Sequence, residues 1–114
     1  MIDGSWARLR LVSLREFLIR EMAEATASLA IEREPDRMDD LLLKSERESN
    51  AKQVEILKRK IAKVDAALLR IANGEYGVCE ECGEQISEKR LLVVPESALC
   101  VGCAEKAEIE RKEN

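Results

Sequence analysis

Four cysteines limit what this chain of 114 residues can fold into more than any other feature. They are the only cysteines in the sequence, and they form two Cys-x-x-Cys pairs, Cys79 with Cys82 and Cys100 with Cys103. Two residues between cysteines let one tight turn direct both sulfur atoms to the same point, and Gly83 stands where such a turn needs a positive φ angle. The two pairs together predict a tetrahedral site for one structural Zn²⁺.

Two other uses of the four cysteines stay open, which are a pair of disulfides and an iron site with the same ligands. We expect no secretory leader and a cytoplasmic protein, and cytosolic thiols stay reduced, which favours metal ligation. Four protein ligands leave no open position for water, so the metal would be structural rather than catalytic. The sequence also contains no histidine, the commonest general base, and we therefore expect no enzyme.

The composition favours long helices over a large globular core. Charged residues make up 37% of the chain and aromatic residues only 3%, which is typical of a coiled coil. A net charge of −4 argues against a partner held by phosphate contacts, so no direct contact with DNA is expected. No apolar run approaches the roughly 20 residues of a membrane span, and no membrane partner is expected.

A helical stripe of apolar residues marks the first part of the chain. It predicts a helix from about residue 5 to residue 33, with steps of three and four between the apolar positions. These positions are Leu11, Leu14, Leu18, Met22, Ala25 and Leu29. Pro35 disfavours the α conformation of the residue before it, so the first helix should end near Arg33. Asp36 is a good N-cap for a second helix, and the short connection predicts an antiparallel hairpin.

The second helix is predicted from about residue 37 to residue 72. Its apolar positions step by three and four as in a coiled-coil seam, and they are Val54, Leu57, Ile61, Val64, Leu68 and Ile71. Asn73-Gly74 is a strong C-terminal stop. We therefore expect an all-α fold in a monomeric chain. Residues 1–74 would form an antiparallel coiled-coil hairpin with its tip near 34–41, and residues 75–114 would form a four-cysteine zinc finger with a short helix over 104–112.

The residues around the cysteines carry a resemblance to a known family. The chain reads Tyr76-Gly77-x-Cys-x-x-Cys-Gly-x-x-Ile-x-x-x-Arg-Leu-x-x-x-Pro-x-x-x-x-Cys-x-x-Cys, which closely resembles the zinc finger of the DksA/TraR family. Members of this family are small bacterial proteins that bind RNA polymerase and alter transcription initiation. The resemblance implies a polymerase-binding transcription regulator with a coiled-coil arm.

The same resemblance points to the hairpin tip. In the DksA branch an Asp-x-x-Asp-x-Ala motif at the tip enters the secondary channel of the polymerase. Ungapped counting back from Cys79 places this motif on Asp36, Asp39 and Leu41, so that both acids match and leucine replaces alanine. Both acids would also be favoured at the start of any helix, as a cap and as partners of the helix dipole.

The family's contacts with the alarmone ppGpp match only in part. Responsive members place basic residues just before the proline of the finger and just after its last cysteine. This chain has Val94 and Ala104 there, and only Lys63 on the second helix matches the basic set. The resemblance therefore implies at most a residual alarmone contact at Lys63 and a weak response to ppGpp.

Two further functions compete with the polymerase regulator. A zinc ribbon that binds nucleic acid would need a basic surface with aromatic residues, whereas the finger offers Lys89 and Arg90 among many glutamates. A coiled-coil adaptor would use the apolar seam for dimerisation instead of an intramolecular hairpin. Measurement of the molecular size separates this adaptor from the monomeric hairpin.

Overall fold

The structure, a computed structural model, describes residues 4–31 and 40–113, without the side chains of residues 29–31, 40–44 and 113. Four helices make up most of the described chain: α1 (Gly4–Ile31), α2 (Asp40–Ala72), α3 (Glu88–Val93) and α4 (Val101–Glu113). Within these ranges there is no β-strand, only an isolated antiparallel bridge between Val78 and Gln85. The predicted all-α class is confirmed.

The two long helices form an antiparallel coiled-coil hairpin. The start of α1 lies beside the end of α2, since a Cβ placed on Gly4 would stand 3.6 Å from Cγ2 of Ile71. The predicted apolar positions face inward: among the described side chains of both stripes, each is buried or half-buried. The buried members are Leu11, Leu18, Leu57 and Val64. Helix packing thus uses the 3- and 4-residue spacing that the sequence displays.

The chain divides into two compact units. One comprises residues 14–62, with Leu18 and Leu57 buried in it. The other combines residues 1–13 with residues 63–114, so it holds the start of α1, the end of α2 and the cysteine-rich segment. The boundary that we place at residue 74 marks the end of a helix, and as a domain boundary it stays a prediction.

The end of α2 is closed by hydrogen bonds that require glycine. The Gly74 N–H donates to the Ile71 carbonyl at 3.1 Å, and the Glu75 N–H donates to the Arg70 carbonyl at 2.8 Å. This pair of bonds is the Schellman motif, which needs a left-handed residue after the helix. Gly74 supplies it with a φ of 74°. The predicted helix stop at Asn73-Gly74 is therefore confirmed.

The third helix was not expected from the sequence. Ser87 caps α3, since its hydroxyl accepts from the Arg90 N–H at 3.2 Å and its backbone is extended. The helix ends at Val93, two residues before Pro95, which cannot continue it. The serine at residue 87, directly before Glu88, was the available sign of a helix start.

The fourth helix begins earlier than predicted. Sequence patterning places its start at Ala104, but α4 begins at Val101. The reason is that the Cys100 carbonyl accepts from the Ala104 N–H at 2.9 Å, as in the first turn of a helix. Cys103 consequently lies on a helix and not in a separate turn.

The predicted tip at residues 34–41 lies almost wholly outside the described residues. Asp36 and Asp39 belong to the undescribed segment 32–39, and only the backbone of Leu41 is described, as part of α2. The turn at Pro35 and the cap at Asp36 therefore stay predictions. Among the described helices, none combines the length and apolar character needed to cross a membrane.

Burial predicts which leucines of α2 stabilise the protein. Leu57 is 3% exposed and Leu69 is 62% exposed on the same helix. We expect Leu57→Ala to lower the free energy of unfolding by about 2–4 kcal/mol, because it leaves a cavity in the coiled coil. Leu69→Ala, the same chemical change at an exposed site, should cost less than about 1 kcal/mol. Urea unfolding in zinc-containing buffer, followed by circular dichroism, measures both, and equal losses would contradict this packing.

Candidate metal centre

The first Cys-x-x-Cys pair lies in a tight turn between short extended segments. The Gly83 N–H donates to the Cys79 carbonyl at 3.0 Å, and the Cys79 N–H donates to the Glu84 carbonyl at 2.8 Å. Gly83 has a φ of 76°, a left-handed conformation that glycine adopts without steric cost. The turn folds the chain back after Cys82, so that both thiols of the pair face one point.

The second pair is held by the start of α4. The Cys100 sulfur accepts from the Cys103 N–H at 3.5 Å, and its carbonyl accepts from the Ala104 N–H. One helical turn thus brings the sulfurs of Cys100 and Cys103 to the same side. A turn in the first pair and a helix start in the second present four thiols to a common centre.

The distances between the sulfurs suit a metal ion. All four Sγ atoms lie within 4.8 Å of one another, and those of Cys82 and Cys100 are 3.8 Å apart. A tetrahedron with metal–sulfur bonds of about 2.3 Å has edges of about 3.8 Å. A disulfide needs about 2.05 Å between sulfurs, and all four cysteines are free. The geometry therefore favours a tetrahedral thiolate site over the disulfide alternative.

The thiols have unequal acidity in the absence of a metal. The backbone N–H groups of Cys82 and Cys100 stabilise the Cys79 thiolate and lower its pKa to about 6. Hydrogen bonds with the Cys100 and Cys79 side chains raise the pKa of Cys103 to about 12. The pKa of Cys82 is also raised: the Glu84 N–H lowers it, but the Cys79 side chain and burial outweigh that effect. The Cys79 thiolate thus forms easily, whereas the raised pKa values of Cys82 and Cys103 favour their protonated thiols unless a cation is bound.

A small apolar core surrounds the sulfurs. Cys79, Ile86 and Leu91 are buried, and Tyr76 and Leu99 pack against them. The Tyr76 hydroxyl donates to the Pro95 carbonyl at 2.8 Å. Residues of the family motif therefore stabilise the finger. Several form its apolar core, and Tyr76 joins the start of the finger to the segment at Pro95.

Arg90 of the motif also has a structural role. Its Nε donates to the Leu99 carbonyl at 2.8 Å and to the Ser97 hydroxyl at 3.1 Å. The Ser97 hydroxyl in turn donates to the Leu99 carbonyl at 2.8 Å. These bonds fix the segment that leads into Cys100, and they occupy the Arg90 Nε inside the finger.

Sequence reasoning missed two residues that lie beside the centre. Arg70, near the end of α2, is buried and donates to Glu80 and to the Ser97 carbonyl. Ser97 is buried as well. Arg70 looks like an ordinary basic residue in the last turn of a helix, and Ser97 belongs to no motif. A basic residue at a seam-flanking position close to the cysteines was the only available sign.

The other residues singled out from the sequence are not metal ligands. Lys63 is exposed on α2, while Val94 and Ala104 are half-buried. Asp36 and Asp39 are outside the described residues, as is the side chain of Leu41. The structure thus brings together the four predicted metal ligands and leaves the tip and the alarmone contact as predictions.

The finger and the hairpin define the class of this protein, and comparison with known proteins identifies the family. Residues 74–108 match the prokaryotic dksA/traR C4-type zinc finger. The chain is 32% identical over 101 residues to the RNA polymerase-binding transcription factor DksA of Caulobacter vibrioides, covering 87% of this chain and 71% of that protein. The chain therefore belongs to the DksA/TraR family, and its four clustered cysteines form a zinc-binding finger.

Two further relatives support this assignment over different lengths. The solved structure of transcription factor DksA2 from Pseudomonas aeruginosa superposes with a TM-score of 0.83 at 30% identity, covering 97% of this chain and 86% of that one. An uncharacterised protein of Aquifex aeolicus is 46% identical over 50 residues. That match covers 44% of this chain and about a third of the Aquifex protein, 34% of its length.

Removal of one ligand should unfold the finger but not the hairpin. We expect Cys82→Ser to release zinc and to lose the ordered finger, because a core this small depends on the metal. The coiled coil should keep most of its helical circular dichroism. Metal analysis and NMR spectra of residues 75–103 measure the two effects. A variant that retains zinc at the wild-type level and an intact finger would contradict the assignment.

Zinc binding should release protons, and more of them in acid. At neutral pH the raised pKa values of Cys82 and Cys103 keep these thiols protonated, so zinc must displace their protons. Below about pH 6 Cys79 also becomes protonated, because its pKa is about 6. The zinc affinity should therefore fall as pH falls, more steeply below pH 6. Calorimetry in buffers of different ionisation enthalpy counts the protons, and an equal count at pH 7.5 and 5.5 would contradict this.

Proposed function

We propose that this protein is a transcription regulator that binds bacterial RNA polymerase. The observation that carries the proposal is the match to the Caulobacter protein, which is named an RNA polymerase-binding transcription factor and aligns with 87% of this chain. Since the match covers 87% of this chain, it extends beyond the finger of residues 74–108 into the hairpin, which supports a shared scaffold. The cytoplasm, where the polymerase works, is the corresponding location.

The proposed mechanism places the hairpin tip in the secondary channel of the polymerase. Asp36 and Asp39 would present two carboxylates near the active-site region and retune promoter complexes by contact and charge. Two carboxylates three residues apart could hold Mg²⁺, but no other residue pattern in the sequence indicates cleavage chemistry. Leu41 takes the place of the alanine of the family motif, and its larger side chain would alter this contact. We therefore infer a binding regulator and not an enzyme.

The zinc finger would carry one Zn²⁺ per chain on Cys79, Cys82, Cys100 and Cys103. All four positions of a tetrahedral ion are then filled by protein, so the ion has a structural role. A monomer is supported by the burial of the coiled-coil seam within a single chain: Leu11 and Val64 are each 0% exposed without any second copy. This burial leaves little of the seam for dimerisation and disfavours the adaptor.

Nucleic-acid binding by the finger has little support. Residues 75–103 contain six glutamates and only two cations, Lys89 and Arg90. Arg90 is half-buried, and its Nε bonds to Ser97 and Leu99, so it contributes little to a basic surface. The exposed face would repel phosphates, which require clustered positive charge. A contact with protein therefore fits the charge of the finger better than a contact with nucleic acid.

The same charge argument bears on the alarmone. Val94 and Ala104 cannot donate to a phosphate, and Lys63 alone offers a point charge without the fork geometry of arginine. We infer that ppGpp adds little to the effect of this protein on transcription. Lys63 is exposed on α2 and is therefore accessible for a residual contact with ppGpp.

Binding itself is tested with purified components. The protein is incubated with bacterial RNA polymerase and the complex is isolated by size exclusion. A factor known to occupy the secondary channel should displace it. Absence of a complex at micromolar concentrations would overturn the proposed function, whereas a complex that the competitor leaves intact would overturn only the proposed channel.

The tip acids should separate binding from activity. Asp36→Asn removes a charge but keeps a good N-cap side chain, and Asp39→Asn costs at most a few tenths of a kcal/mol of dipole interaction. We expect the double variant to keep its zinc, its helix content and its affinity for polymerase, and to lose its effect on initiation. In vitro transcription and binding assays measure these properties.

A matched control removes the same charge elsewhere. Glu46 and Glu48 are exposed acids on α2, outside the tip. Glu46→Gln combined with Glu48→Gln changes the net charge by the same amount as the tip variant, and it should retain the effect on initiation. Undiminished activity of the Asp36→Asn, Asp39→Asn protein would show that the two acids serve only the helix start.

A further inference from the structure

Arg70 connects the end of the coiled coil to the zinc finger. Its side chain is 10% exposed, although arginine is rarely buried. Nη1 donates to Oε1 of Glu80 at 3.0 Å, and Nη2 donates to the Ser97 carbonyl at 3.2 Å. Nε is buried and has no partner among the described residues. Among the described residues, this guanidinium therefore donates hydrogen bonds from α2 to the finger.

The two acceptors belong to different halves of the metal site. Glu80 directly follows Cys79 in the first turn, and Ser97 lies three residues before Cys100. The Glu80 N–H also donates to the Ala98 carbonyl at 2.9 Å, which joins the two segments beside the arginine. The Arg70 guanidinium thus spans the segments that carry the first and the second cysteine pair.

We propose that Arg70 is a positioning residue for the zinc site and that it couples zinc binding to the order of the last turn of α2. Before zinc binds, the arginine holds the two cysteine-bearing segments close together, which reduces the ordering that binding requires. Once zinc fixes these segments, they in turn offer the buried guanidinium its acceptors. Coupling of this kind is reciprocal: whatever Arg70 adds to zinc affinity, zinc adds to the retention of Arg70 in its buried position.

The positions of the two acceptors explain why residue 70 is an arginine and not a lysine. A guanidinium presents several donors in a fixed plane and can bond two acceptors at once, whereas a lysine ammonium is a point charge on a flexible stem. The carboxylate of Glu80 belongs to a side chain that is 59% exposed, so this ion pair is weakened by solvent. The bond to the Ser97 carbonyl is the buried one. Removal of Arg70 should therefore cost more than removal of the Glu80 charge.

The first test measures zinc affinity by competition with a chromogenic chelator. We expect Arg70→Met, which keeps the length of the side chain but donates no hydrogen bond, to weaken zinc binding about tenfold or more, as is usual for residues that orient metal ligands. Glu80→Gln should weaken it less. The control is Arg59→Met, the same change at an exposed position of α2, and it should bind zinc like the wild type.

The second test separates coupling from simple loss of stability. Hydrogen exchange is followed at residues 69–75 with saturating zinc and after removal of zinc by a chelator. In the wild type, zinc removal should speed exchange at these amides. In Arg70→Met, exchange should already be faster with zinc bound, and zinc removal should change it less. This reduced difference is not expected from a residue that only stabilises the helix.

A second variant keeps the test decisive if Arg70→Met does not fold. Arg70→Lys retains the charge and the aliphatic stem but cannot reach both acceptors with fixed geometry. It should give a zinc affinity and an exchange difference between those of the wild type and Arg70→Met. Wild-type zinc affinity in either variant, or an exchange difference as large as that of the wild type, would overturn the proposal.

Discussion

The convergence of four thiols on one point is the constraint on which the finger depends. Only Cys79, Ile86 and Leu91 are buried in its apolar cluster, which is far less than a self-standing domain requires. The cysteine pairs stand at the two ends of a 25-residue segment, from Cys79 to Cys103, so zinc bound by both pairs would close nearly the whole finger. The closeness of the sulfurs also has a cost. Without a cation, neighbouring thiolates repel one another, and the pKa of Cys79 is lowered while that of Cys103 is raised.

The polar residues of the family motif satisfy backbone groups that the small finger cannot pair through secondary structure. Tyr76 donates to the Pro95 carbonyl and Arg90 donates to the Leu99 carbonyl. Both acceptors lie in the segment between α3 and Cys100, where no helix or strand pairs the chain. A buried carbonyl without a hydrogen-bond donor destabilises the fold. Here side chains donate the hydrogen bonds that neighbouring strands would donate in a larger domain. The residues of the motif therefore serve chiefly to fold the segments that carry the metal ligands.

The features predicted correctly from the sequence are those that local spacing determines. Steps of three and four between apolar residues place Leu11 and Leu57 on buried faces, and Gly74 ends its helix because of its own backbone freedom. Arg70 could not be found in this way. Its acceptors lie 10 and 27 residues further along the chain, and nothing near it in sequence distinguishes a buried guanidinium from an exposed one. Only the fold brings these partners together.

Short elements were predicted less well for a related reason. α3 has six residues and too few apolar positions to show a helical period. Its start depends on the hydroxyl of Ser87, which is one hydrogen bond among many that a serine can make. α4 begins at Val101 because the second cysteine pair adopts a helical turn around the metal site. In both cases a specific local contact, the Ser87 cap for α3 and the turn of the second cysteine pair for α4, sets the boundary.

The match to the family is uneven along the chain, and this unevenness has a physical meaning. The finger matches the family model over residues 74–108, whereas Leu41, Val94 and Ala104 differ from the residues that the resemblance predicts for the tip and the alarmone contact. Val94 and Ala104 are only half-buried, and their side chains make none of the polar contacts that hold the finger. Substitutions there leave the metal site and its core intact. The metal site and its core therefore do not depend on the side chains of Val94 and Ala104.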